Sequence, residues 1–203
     1  MSKQLYKNTR FQYEIKKFYN KEETILDIIV FGSSVKGKEK PNDIDLLVLF
    51  KDKKDLDTSY KLKKLLEKNF SINIEIVSKS YSGLFSPSFK AREAIIAEGY
   101  SIIQSKKLSE GFGYNSLMLF RYSLKGFNKS QRMRFYYSLY GRTKDQKGIL
   151  KELKAKKFLE SVILCPIENT EKIKEFFDIW KISVEYFPIL IPIDVKISTR
   201  RTD

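Results

Sequence analysis

The sequence predicts an α/β (α+β) chain in two parts, residues 1–105 and 106–203. Three observations point there. Short apolar segments at 25–31, 44–50 and 72–77 have the length of strands, the last with strand alternation, and helical spacing lies between the second and third. A stretch containing Gly111 and Gly113 then interrupts the pattern. Beyond it the charge balance shifts: residues 106–203 hold 20 basic and 11 acidic groups, against 19 and 14 in residues 1–105.

The elements follow in order. Residues 4–20 read as a helix, with Leu5, Phe11, Ile15, Phe18 and Tyr19 on its apolar side. Strand one covers 25–31. A short helix or turn covers 33–38, broken by Gly37, and strand two covers 44–50. After a charged connector, a helix over 59–68 carries Leu62, Leu65 and Leu66. Strand three covers 72–77, followed by a loop to Ser86 at the expected mouth of the site. Pro87 opens a helix that stops at Gly99, and a short strand over 100–104 closes the first part.

Residues 106–114 read as a linker. Residues 115–124 fit a strand or a helix equally. Asn128 caps a helix to Tyr140, stopped by Gly141, and a second helix runs to about Lys157. Residues 162–165 form a strand ended by Pro166. Asn169 and Thr170 cap a helix through Trp180, and residues 181–190 form the last strand. Residues 198–203 are expected to fray.

The chemistry concentrates at the first two strands. Strand one ends in Phe31, Gly32 and Ser33, and nine residues later Asp43, Ile44 and Asp45 open strand two. Strand side chains two apart share a face, so Asp43 and Asp45 project together while Ile44, Leu46 and Val48 point the other way. Adjacent carboxylates repel unless a positive charge lies between them. A hard divalent cation such as Mg2+ suits them. A turn at Gly32 and Ser33 would offer backbone N–H groups to a phosphate. Together these are the means of phosphoryl or nucleotidyl transfer. Taken singly the parts say little, since Pro41, Asn42 and Asp43 are also ordinary turn formers.

This segment resembles the DNA polymerase beta-type nucleotidyltransferase superfamily, and most of all its minimal members. Their signature is Gly-Ser or Gly-Gly after an apolar residue, about ten residues, then Asp-x-Asp or Asp-x-Glu. The resemblance covers the first half of the chain. It implies a mixed sheet with flanking helices, and a third carboxylate on a later strand. Glu75 fits that place, although a solvated glutamate on an edge strand would look the same in sequence. Asp43, Asp45 and Glu75 would then hold two Mg2+ ions, with Mn2+ as a substitute, and act as the catalytic trio. Gly32 and Ser33 would grip the NTP triphosphate, with Lys36 and Lys38 as nearby cations.

Composition narrows the alternatives. Histidine is absent, which excludes Ser-His-Asp and Cys-His mechanisms and His-ligated zinc. The single cysteine, Cys165, excludes a disulfide framework and fits a reducing cytoplasm, the expected location. Cys165 reads as a small buried apolar residue. No apolar run has the length of a membrane span. A net charge of +14 suggests a polyanionic partner.

Arg121 to Lys157 holds 12 basic residues against Asp145 and Glu152. The expected nucleic-acid contacts are Arg121, Lys129, Arg132, Arg134, Arg142, Lys144, Lys147, Lys154, Lys156 and Lys157. Tyr122, Phe127, Phe135, Tyr136, Tyr137, Tyr140 and Phe158 interleave with them. Met133, Tyr136, Tyr137 and Tyr140 also have core spacing. The expected activity is Mg2+-dependent transfer of an NMP from an NTP to a hydroxyl, with RNA, especially a tRNA-like end, as acceptor. A protein hydroxyl is the alternative acceptor. A non-catalytic nucleic-acid-binding protein and a basic protein-docking module are the other classes.

Overall fold

The computed structural model describes residues 5–38, 41–143 and 146–195. The chain divides into two compact units, Met1–Gly113 and Tyr114–Asp203. The fold is mixed α+β.

In the first unit a 3-10 turn at Leu5–Lys7 leads into α1 (Thr9–Tyr19). Asn8 caps α1 by accepting from the N–H groups of Arg10 and Phe11. There follow β1 (Ile25–Phe31), a 3-10 turn at Gly32–Ser34, β2 (Asp43–Phe50), α2 (Leu56–Phe70) and β3 (Asn73–Ser80). Then come α3 (Tyr81–Leu84), α4 (Arg92–Glu98), β4 (Tyr100–Ser101), β5 (Lys106–Lys107) and α5 (Leu108–Gly111). The sheet runs β3-β2-β1-β4-β5. Among the described residues only β2 and β3 pair in parallel, as a crossover through α2 requires.

Strand alternation sorts the side chains into two layers. Ile28, Val30, Ile44, Leu46, Val48 and Ile74 meet Phe11 and Ile15 of α1 and Leu62 and Leu66 of α2. Ile29, Phe31 and Leu47 meet Phe89 and Ile95 on the opposite face. Both faces are therefore covered, and β2 is apolar almost throughout except at Asp43 and Asp45.

Several expected boundaries move. α2 starts at Leu56 because Asp55, not a later residue, is its cap: the Asp55 carboxylate accepts from the N–H groups of Asp57 and Thr58 and from the Thr58 hydroxyl at 2.7 Å. β3 runs on to Ser80, and the expected loop beyond it contains α3, capped by Ser80 at Gly83 N–H, 3.1 Å. α4 begins at Arg92 rather than at Pro87. Residues 106–111 are not a linker. β5 pairs with β4, and α5 supplies Leu108 to the Ile29–Phe31 layer.

The second unit comprises β6 (Tyr114–Tyr122), α6 (Lys129–Tyr140), α7 (Ile149–Glu152), β7 (Lys156–Leu159), β8 (Val162–Pro166), α8 (Thr170–Ile179) and β9 (Val184–Pro192). Its sheet is antiparallel with order β7-β8-β6-β9. Setting aside the single turn of α7, this is a split βαβ arrangement of the ferredoxin-like type. Phe135 and Leu139 of α6 and Ile173 and Phe177 of α8 pack on Met118, Phe120, Ile163 and Cys165. Both helices thus lie on one face of the sheet.

The undecided segment 115–124 is strand β6. The helix expected to reach Lys157 ends at Glu152. Lys154 turns the chain at φ 54°, and residues 156–159 form an edge strand instead. A two-residue turn at Glu160 and Ser161 joins β7 to β8, with Ser161 at φ 58°. That position usually carries glycine or asparagine, so the hairpin left no mark in the sequence. Residues 198–203 lie outside the described residues. Among the described residues no helix is long and apolar enough to cross a membrane.

Candidate active site

The strand register assembles the site. Phe31 at the end of β1 pairs with Asp45, and Asp45 pairs with Glu75. Asp43 pairs with Asn73. Asp43, Asp45 and Glu75 therefore share the face that carries Phe31, with Asp43 one pleat towards the start of β2. β3 is the edge strand and Glu75 is exposed, while Asp43 and Asp45 are half-buried.

The Gly32–Ser34 turn follows β1 directly. Gly32 has φ 73°, a left-handed conformation, and a Cβ there would overlap the Asp45 carboxylate. This joins the Gly-Ser element to the Asp-x-Asp element in space: the missing side chain is what admits the carboxylate. Val35 N–H donates to Gly32 O and Lys36 N–H to Ser33 O, which close the turn. The buried Ser34 hydroxyl donates to Phe31 O at 3.2 Å.

Electrostatics mark Asp45 as the centre. Burial pushes its carboxyl above the ordinary range, and repulsion from Asp43 and then Glu75 adds to the rise; Lys36 opposes it. The donor set is hard oxygen, and it carries more negative charge than Lys36 offsets. A divalent cation fits such a set. Among the described residues no three His, Cys, Asp or Glu side chains form a ready-made metal cage.

Lys36 is held rather than free. Its Nζ lies 3.1 Å from Glu98 Oε1 at the end of α4, and the Glu98 side chain is 4% exposed. Sequence reasoning missed Glu98. The only hint was an acid in the last turn of an apolar helix, where the helix dipole disfavours it. Lys38 is exposed. Asp27, on β1, is a second strand acid with a raised pKa, caused by burial. It accepts from Ile28 N–H at 2.7 Å within β1 and from Ser101 Oγ at 2.8 Å, the bond that ties β1 to β4.

The expected nucleic-acid contacts do not form one patch within the second unit. Lys129, Arg132 and Arg134 lie on α6, with Arg142 just past its end. Arg121 and Lys156 share register lines with Val162 and Leu164, on the sheet face opposite the helices. Arg121 also meets Glu185 at 3.3 Å. Lys147 and Lys154 sit in the turns around α7, and Lys157 on the edge strand β7. Lys144 lies outside the described residues. Of the interleaved rings, Tyr122 and Phe135 are core, whereas Tyr137 and Tyr140 are exposed. Cys165 is buried and its thiol is pushed up to about 12, chiefly by burial, so it is no nucleophile.

No curated protein matches the chain. Among solved structures, a toxin–antitoxin complex with AMP-PNP is 24% identical, over 45% of this chain and 71% of that one, with TM-score 0.37. The MntA–HepT toxin–antitoxin complex is 20% identical, over 47% and 71%, with TM-score 0.34. A tri-AMPylated Shewanella oneidensis HEPN toxin in complex with MNT antitoxin is 18% identical, over 46% and 69%, also with TM-score 0.34. Overlaps this partial bear on neither the fold nor the function of the whole chain. The family model for polymerase beta nucleotidyltransferases matches residues 13–107, a span that contains the Gly32 turn, both aspartates of β2 and Glu75. The first half of this chain is a polymerase beta-type nucleotidyltransferase domain.

Proposed function

We propose that the chain transfers an NMP from a Mg2+-bound NTP to a hydroxyl of a nucleic-acid acceptor, RNA in the first instance. The observation that carries the transfer reading is the interlock of Gly32 with Asp45, which draws the two halves of the motif into one site. Asp43 and Asp45 would hold two Mg2+ ions, with Glu75 completing the set. Those ions would polarise the phosphoryl oxygens and lower the pKa of the attacking hydroxyl. Gly32 and Ser33 would position the triphosphate through backbone N–H groups, and Lys36, steadied by Glu98, would offset its charge. The acceptor oxygen attacks the α-phosphorus. The bond from that phosphorus to the bridging oxygen breaks, and pyrophosphate leaves with the electron pair. Glu75 favours removal of the hydroxyl proton.

The acceptor reading rests on charge. Residues 114–203 hold 18 basic and 10 acidic groups, and such a surface favours phosphates. A protein hydroxyl remains the second reading, because the chemistry at phosphorus is the same. Incubation with each labelled NTP, Mg2+ and total cellular RNA tests both. Label in RNA supports the first. Label in protein, with none in RNA, replaces it by the second.

A further inference from the structure

Helix α6 does not look like an ordinary surface helix. Its inner side is apolar as expected, with Phe135 and Leu139 fully buried. Its outer side should then be polar. Instead Met133, Tyr137 and Tyr140, at i, i+4 and i+7, make an exposed row: 44%, 41% and 39% of their surfaces are open. Of the four residues with core spacing, Tyr136 packs on the core and the other three lie on the solvent side. A shallow groove of about 300 Å³ opens beside it, lined by Phe127, Lys129, Arg132, Met133 and Tyr136.

Cations border the row. Lys129, Arg132 and Arg134 are exposed on the same helix, which carries no acidic residue at all. The Arg142 guanidinium stands over the Tyr137 ring, 5.6 Å from its centroid. Tyr136 and Tyr140 stack with centroids 6.0 Å apart and planes at 30°. The Arg132 Nε–H donates to Phe127 O at 3.0 Å, which fixes one end of that guanidinium beside the groove.

We propose that the outer side of α6 is a platform for single-stranded nucleic acid. Bases stack on Tyr137 and Tyr140, and Lys129, Arg132 and Arg142 neutralise the adjoining phosphates. Rings flanked by cations are what an unpaired strand needs, because every base has a stackable face and every linkage a charge. A duplex hides its base faces and would use the cations alone. An acidic protein would likewise satisfy the cations and leave the ring faces unused. The inference rests on the proposed acceptor only in assigning the bound strand its role.

The test uses the full chain, a labelled single-stranded RNA oligomer and an RNA duplex of equal length. Tyr137→Ala with Tyr140→Ala is expected to weaken single-strand binding about tenfold or more. Tyr137→Phe with Tyr140→Phe should stay within about twofold, since the rings remain. Arg132→Gln with Arg142→Gln should make the salt dependence shallower by about two. A 4-thiouridine oligomer should cross-link to residues 129–142 of the unmodified protein, a result that stands even if the alanine variant fails to fold. Undiminished binding by a folded alanine variant, equal losses on the duplex, or cross-links elsewhere would overturn the platform. So would capture of an acidic protein, and not RNA, by this face. Cross-linking at α6 without transfer of label to RNA would sink the acceptor reading alone. Transfer to RNA that survives ring removal, with cross-links elsewhere, would sink the platform alone.

Discussion

A side chain at position 32 would have to occupy the space of the Asp45 carboxylate, and the backbone there is left-handed as well. Gly32→Ala therefore carries two costs. The conformational part is about 1–2 kcal/mol. Gly113→Ala isolates that part, because Gly113 is also left-handed at φ 81° but a Cβ there meets nothing within 4 Å. Thermal melts should show the larger loss for Gly32→Ala, and NTP transfer should fail only in that variant. Equal losses would mean that the Asp45 carboxylate moves aside freely. Asp45 itself makes a pH prediction. Its folded pKa is raised above 3.8, so the fold favours the protonated form, and stability is lost as pH rises through the raised value. Asp45→Asn should then melt higher than the parent at neutral pH, and the gain should shrink as pH falls towards the ordinary carboxylate range. Both Asp45→Asn and Asp43→Asn should abolish transfer. A gain in stability that persists unchanged in acid would deny the strain at Asp45. Full activity in either variant would deny the metal assignment.

At the scale of elements, α4 packs beside the Gly32–Ser34 turn and meets Lys36 in an ion pair. Glu98 is buried and Lys36 is not wholly so. Removing Lys36 takes one partner from a buried anion, whereas removing the Glu98 charge leaves a lysine that can turn to water. Losing one partner of a buried charge costs at most about 3–5 kcal/mol. Lys36→Met should accordingly lower the melting temperature more than Glu98→Gln does. Glu98→Gln should raise KM for the NTP if the pair steadies Lys36 at the phosphates. The reverse order of melting temperatures would mean that the buried Glu98 carboxylate does not depend on Lys36. Such a pair is hard to read in sequence, since its partners are 62 positions apart. What was legible had local causes: β1 and β2 are short apolar runs, β3 alternates, and Asn128 with Gln131 forms the capping box that starts α6. β7 was not legible. Lys156 and Lys157 suit a helix end by propensity, and only pairing with β8 makes that segment a strand. With β6 undecided and β7 read as helix, the split βαβ pattern of the second unit could not emerge.

Over the whole molecule, charge density along the chain pointed to a basic half but could not say which cations act together. The fold of the second unit separates them: Arg132 and Arg134 lie on the helix layer, and Arg121 and Lys156 on the opposite sheet face. Arg121 is also partly engaged with Glu185. Charge reversal can therefore be done one layer at a time in the full chain. If α6 presents the acceptor, Arg132→Glu with Arg134→Glu should raise KM for RNA and leave KM for the NTP nearly unchanged. An interaction made equally in ground and transition states acts on KM rather than on kcat. Arg121→Glu with Lys156→Glu should have the smaller effect, reflecting only the lower net charge. Both pairs should be compared at two salt concentrations, because a lost phosphate contact reduces the salt slope by about one and a diffuse change in net charge does not. Equal effects of the two pairs would mean that the basic half works as an undirected field. A rise in KM for the NTP would move those arginines to the nucleotide site, and the protein hydroxyl would then become the better acceptor.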